Sequence, residues 1–194
     1  YQRVTTPTDY DTVGYPYYLA FNGTNTAYTT PSIDFTGTDK MTVWAGVTKL
    51  SDAADGTIYM CGDPSNLQNG SFRADAPGSS TATKYQVAVR GTAASVPFTV
   101  SSAYNAPHTT VFTQVSDIGA DIAQLRLGGV LVDSSTTDQG TGNYGNYPLY
   151  IGTRAGTSYY FNGRLYGLIV RGAQSSLSQI EATEAYIKQK MRLP

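Results

Sequence analysis

From Met41 to Val47 every second side chain is apolar: Met41, Val43, Ala45 and Val47 share one side of an extended chain, and Thr42, Trp44 and Thr48 point the other way. The same two-residue period sets Phe72 and Ala74 inward against Ser71, Arg73 and Asp75. It also sets Val87 and Val89 against Gln86 and Arg90. Strands are therefore predicted at 18–22, 41–49, 57–62, 71–76, 85–90, 109–116, 149–153 and 164–170. Between them lie pairs that accept a positive φ in tight turns, Asn22-Gly23, Asn69-Gly70 and Asn162-Gly163. Leu125 to Val132 reads as a hairpin around Gly128-Gly129. One face apolar and the other polar, strand after strand, is the pattern of two antiparallel sheets stacked on one core.

The pattern changes near the end. Leu177, Ile180, Ile187 and Met191 recur at helical spacing, so one amphipathic helix over 177–191 is predicted, docking through Leu177, Ile180 and Ile187. Ser176 with Gln179, or Ser178 with Glu181, can form its capping box, and Lys188, Lys190 and Arg192 complement the dipole at its far end.

Composition narrows the reading. The chain has 194 residues, enough for one all-β domain over 18–194 preceded by a lead-in at 1–17 that carries Pro7 and Pro16. A start at Tyr1 is expected of a domain cut from a longer protein. Only 14% of residues are charged, and the formal net charge is −1 with no basic block, so nothing tracks a phosphate backbone and nucleic acid is not an expected partner. No apolar run approaches a membrane span and there is no signal-peptide pattern, so no membrane insertion is expected. The single cysteine, Cys61, excludes an internal disulfide and is expected as a buried thiol within Ile58-Tyr59-Met60-Cys61.

Four segments in this order resemble the concanavalin A-like/laminin G-like superfamily: residues 18–23, 41–47, the hairpin 125–132, and Leu149 to Gly152 followed by Phe161 to Leu165. The closing Leu177 to Glu181 is similar to the short helix that often ends such domains. The resemblance implies a two-sheet antiparallel jelly-roll sandwich. Residues 31–40, 49–53 and 138–148 further resemble domains near the C-termini of phage and prophage tail-fibre-like proteins. That likeness implies a virion or extracellular surface, other virion proteins as partners, and a homo-oligomer among the possible states.

Catalysis is not expected. A glycosidase needs two carboxylates flanking the scissile bond, yet Glu181 and Glu184 lie on the terminal helix, and Asp34, Asp39, Asp52, Asp55, Asp63 and Asp138 read as turn residues. His108 follows Ala106-Pro107 as a strand-edge residue, and no Gly-x-Ser-x-Gly elbow accompanies it. No cofactor is expected. Asn22, Asn25 and Asp138 are the oxygen donors a calcium ion would draw on, but no run of alternating Asp and Asn surrounds them.

Sugar binding needs only an aromatic ring to stack and a few amides or guanidinium groups to hold hydroxyls. Two places meet that need. One is the loop Asn143, Tyr144, Asn146 and Tyr147, with Arg154, Tyr159 and Tyr160 close in sequence. The other is the sheet face of Trp44 with Arg73, Gln86 and Arg90, if their strands are neighbours. The sequence therefore points to a non-catalytic, lectin-like module binding glycan of a bacterial surface. The rival is a structural virion module that contacts only protein, since Tyr also favours protein interfaces.

Overall fold

A computed structural model describes residues 16–63, 69–78, 83–92 and 98–193. Within them the elements in chain order are β1 (Leu19–Asn22), β2 (Tyr28–Asp34), β3 (Lys40–Lys49), β4 (Thr57–Cys61), β5 (Ser71–Asp75), β6 (Lys84–Arg90) and β7 (Phe98–Ala103). There follow β8 (His108–Asp117), β9 (Ile122–Leu127), β10 (Val130–Ser135), β11 (Asn146–Ile151), β12 (Asn162–Arg171) and α1 (Leu177–Met191). The lead-in reading of 1–17 falls outside the described residues except for Pro16 and Tyr17.

The strands form two six-stranded antiparallel sheets. The first runs β1-β12-β3-β8-β9-β10 and the second β2-β11-β4-β5-β6-β7. Alternation explains the space between them: Met41, Val43, Ala45 and Val47 meet Phe72, Ala74, Val87 and Val89 there, and all are buried. Cys61 is in this core, and burial pushes its thiol pKa up to about 12.

Each predicted strand is present within a few residues. β2 and β7 escaped the sequence reading. β2 carries Pro31, which cannot donate to a ladder, and the strand lies at a sheet edge where that loss is tolerated.

The helix spans the predicted residues and is capped by the Ser176–Gln179 box. It packs on the outer face of the first sheet, where Ile180, Ile187 and Met191 cover Trp44, Val111 and Val115. Leu177 does not dock as expected. It is 58% exposed, and Glu184 faces the sheet in addition to Ile180, Ile187 and Met191.

Candidate functional site

The site is built on the outer face of the second sheet, from the loop that joins β11 to β12. Gly152 starts the loop at φ +78, where a Cβ would lie 2.0 Å from the Phe21 ring, so a side chain has no room there. Arg154 and Ser158 then bond each other's backbones at 2.8 and 3.3 Å, folding 154–158 into a tight knuckle. Tyr159 closes the knuckle in the left-handed region at φ +49, an uncommon conformation for an aromatic residue. Its carbonyl accepts from Thr57 N at 2.8 Å, which ties the loop to the first residue of β4.

That tie brings Arg154 and Tyr159 against residues from two other elements. A narrow notch results, too tight for a water molecule, lined by Asp55, Gly56, Thr57, Arg73, Asp75, Arg154 and Tyr159. The Arg154 guanidinium lies 5.2 Å from the centre of the Tyr159 ring. On the floor, Asp75 accepts from Arg73 Nε at 2.8 Å and from Thr57 Oγ1 at 2.7 Å. Burial raises the pKa of Asp75, opposed by Arg73, Thr57 and Arg154. Burial also raises that of Asp55 at the rim, opposed by the charge of Arg73. Met60, Ala88 and Tyr150 form a small apolar cluster on the same sheet face, with Ala155 of the knuckle packed on it.

Of the residues singled out in the sequence, Arg154 and Tyr159 therefore share one site, with Arg73 beside them. Tyr160 is adjacent and half-buried, its hydroxyl donating to Gly156 O at 3.2 Å. The 143–147 loop is different. Tyr144 is a core residue, 1% exposed, with its ring edge-on to Phe72 at 5.5 Å and its hydroxyl 2.8 Å from Ser116 Oγ. It has no face to offer a sugar. Tyr147 packs against the core and donates to Asn69 O at 3.0 Å. Asn143 is exposed and donates to Thr36 O at 2.6 Å, and Asn146 is exposed at the start of β11.

The Trp44 face expected from alternation does not form. Trp44 is in β3 of the first sheet, whereas Arg73, Gln86 and Arg90 are in β5 and β6 of the second, so they never share a face. Trp44 points away from the core as expected but is covered by α1 and 2% exposed. Arg73, Asp75 and Gln86 do face outward, yet all are buried.

Asp55, Thr57 and Asp75 were not singled out as binding residues. The signal was available in the period-two spacing of Arg73 and Asp75, which puts opposite charges side by side on one strand face. The oxygens considered for calcium have other roles. Asn22 Oδ1 accepts from the backbone N–H of Thr24, Asn25 and Thr26, and Asp138 Oδ1 from that of Gly140. Among the described residues no group of three or more His, Cys, Asp or Glu side chains is placed to hold a metal.

No protein-family model matches the chain, and no curated protein matches it either. Solved structures do. The chain is similar to a heptameric SAP-like pentraxin from Limulus polyphemus, at 13% identity and TM-score 0.62 over 85% of this chain and 80% of the other. It is similar to the CBM40 of the Ruminococcus gnavus IT-sialidase, at 14% identity and TM-score 0.59 over 81% and 98%. That CBM40 is also known bound to α2,3-sialyllactose. The botulinum neurotoxin serotype G binding domain is similar over 86% of this chain and 42% of its own, at 12% identity and TM-score 0.64. At such identities the likeness is one of fold: this chain is an all-β jelly-roll sandwich of two antiparallel sheets with a single C-terminal helix.

Proposed function

We propose that this chain is a non-catalytic glycan-binding module and that the sugar lies against the exposed Tyr159 ring, beside Arg154 and Asp55. One observation carries the reading: a partly exposed tyrosine is held in a strained backbone, over an arginine, at the rim of a buried charged cluster. A left-handed tyrosine in a surface loop bears a conformational cost, and strain of this kind collects at ligand clamps. A flat ring with guanidinium and carboxylate groups beside it is the equipment for stacking a pyranose and holding its hydroxyls. The glycan-bound state of a similarly folded module supports the same reading.

Hydrolysis is disfavoured by the way Asp75 is held. Both Asp75 oxygens are engaged, by Arg73 and Thr57, beneath the notch floor. A general acid must instead present a proton to the leaving oxygen. The resemblance to phage tail-fibre domains supports a finer setting, a virion or adhesin domain that meets polysaccharide on a bacterial surface.

A glycan array that includes bacterial envelope polysaccharides tests the proposal. Tyr159→Ala is expected to weaken the retained glycans about tenfold, the loss of one stacking ring. Retention of no glycan by the wild type would refute the reading. Turnover of a bound glycan, abolished by Asp55→Asn, would replace it with an enzyme.

A further inference from the structure

β1 covers only part of β12. The two pair antiparallel from Leu19 with Leu165 to Asn22 with Asn162, and the ladder stops there. β12 continues to Arg171, paired with β3 on its other side. Beside 167–171, on the side that β1 takes up further back, no strand lies among the described residues. Gly167, Leu168, Ile169 and Val170 are half-buried there, whereas β3 is buried from Met41 on. An apolar strand with an uncovered edge is a template for another strand. The edge strand β2 is blunted by Pro31, but neither proline nor an acidic residue interrupts β12.

A cavity of about 250 Å³ opens at the start of this edge. Its walls come from both faces of β12. Leu165 and Leu168 belong to the core side. Tyr166 packs on the outer side, as does Gly46, the β3 partner of Gly167. The space therefore lies in the plane of the first sheet, where the next strand would run, and not over one face. Ile151 lines it from the second sheet. At ~30 Å³ per water it has room for about eight water molecules, enough for one large apolar side chain. A Cβ added at Gly167 would meet nothing within 4 Å.

Charge limits what can dock. β1 and β12 carry Arg164 and Arg171 and no acidic residue. The Arg164 guanidinium lies 4.8 Å from the centre of the Tyr18 ring, and Arg171 Nη1 donates to the neutral Ser175 and Gln179. Neither arginine forms an ion pair among the described residues. Pairing β12 with β12 of a second copy would double these cations and add no carboxylate, so a second copy suits the edge poorly.

We infer that residues 167–171 dock an extended segment of another protein as a further strand of the first sheet. One apolar side chain of that segment fills the cavity, and acidic residues at its ends face Arg164 and Arg171. This edge is separate from the Tyr159 site, which lies on the second sheet, and does not depend on glycan binding.

Fluorescence anisotropy of the full chain with labelled short peptides tests the inference. The peptides alternate leucine and threonine, with aspartate at both ends, with lysine at both ends, or with aspartate ends and a fully N-methylated backbone. The aspartate-ended peptide is expected to bind, the lysine-ended one about tenfold more weakly, and the N-methylated one not at all. Arg164→Glu combined with Arg171→Glu is expected to reverse the preference. Gly167→Trp is expected to abolish binding with an unchanged melting temperature. In the free chain, amide hydrogen exchange over 167–171 is expected to be faster than over 42–46 of β3, and to slow when the aspartate-ended peptide binds. Binding of no peptide, binding indifferent to N-methylation, or an unreversed preference in the double variant would overturn the inference. Slow exchange over 167–171 in the free chain would overturn it too, by showing the edge already covered by residues 1–15 or by a second copy, the latter visible as a dimer in sedimentation.

Discussion

The Lys49 side chain is wholly enclosed. The ammonium donates to Thr83 O at 2.8 Å and Tyr104 O at 2.6 Å, pairs with Asp52 at 2.6 Å, and lies 5.1 Å from the centre of the Tyr85 ring. Two carbonyl acceptors and a counter-ion are what keep a buried ammonium charged. The cluster continues to His108, whose Nδ1 is 2.9 Å from the Tyr85 hydroxyl and whose ring is 4.5 Å from that of Tyr104. Burial, and then the charge of Lys49, lower the imidazole pKa. Its folded value is therefore below its unfolded value, about 6.5. The stability contributed by neutral His108 is complete above that unfolded value and is lost as pH falls through the folded one. Urea denaturation between pH 7.5 and 5.5 is expected to show wild type losing stability faster than His108→Gln. Parallel curves would show that His108 has no such linkage. At this scale the sequence revealed types but not partners. It placed His108 at a strand edge, where β8 does begin. It gave no means of telling Tyr144, locked to Ser116 in the core, from Tyr159 at the surface, since both are tyrosines in glycine-bearing loops.

The helix shows what a pattern of apolar positions reveals about an element and what it misses. Spacing fixed its limits and three of its four sheet-facing residues. The fourth, Glu184, is 3% exposed and accepts from Thr113 Oγ1 at 2.9 Å and from Arg126 Nε and Nη2 at 2.8 and 3.1 Å. A glutamate inside a hydrophobic stripe is read as a gap in it, because only the partner strands reveal the guanidinium waiting there. Gly46 makes the close approach possible: a Cβ there would lie 2.6 Å from Met191 Sδ and 2.8 Å from Ile187 Cγ2. Glu184→Ala leaves Arg126 buried without its counter-ion, and a loss of about 3–5 kcal/mol is expected. Leu177→Ala, at an exposed position of the same helix, is expected to stay within about 0.5 kcal/mol of wild type. Equal losses in the two variants, measured by urea denaturation, would show that Glu184 does not anchor the helix.

Across the whole molecule, alternation told each strand which side faces the core but not which sheet the strand joins. Trp44 and Arg73 both point outward, and they do so from opposite sides of the sandwich, because β3 pairs with β8 and β12 while β5 pairs with β4 and β6. Pairing over such separations is set by the fold's crossovers, which leave no period in the sequence. The candidate site is a product of such non-local pairing: β11 lies beside β4 and β4 beside β5 in the second sheet, which brings the β11–β12 loop against β4 and β5. Its tyrosine then bears a conformational cost that the rest of the fold must sustain, and this cost is measurable. Tyr159→Ala and Tyr159→Gly delete the same ring and should abolish the same stacking, so their glycan affinities are expected to fall alike. Their stabilities should differ. Alanine at φ +49 keeps the left-handed strain, about 1–2 kcal/mol, and glycine relieves it, against about 0.5–1 kcal/mol for the greater freedom glycine loses on folding. The glycine variant is therefore expected to melt about 2–4 °C above the alanine variant, the shift that about 1 kcal/mol produces in a chain of this size. A glycine variant no more stable than the alanine variant would mean that position 159 is unstrained, and the structural ground for assigning Tyr159 to a binding site would be gone.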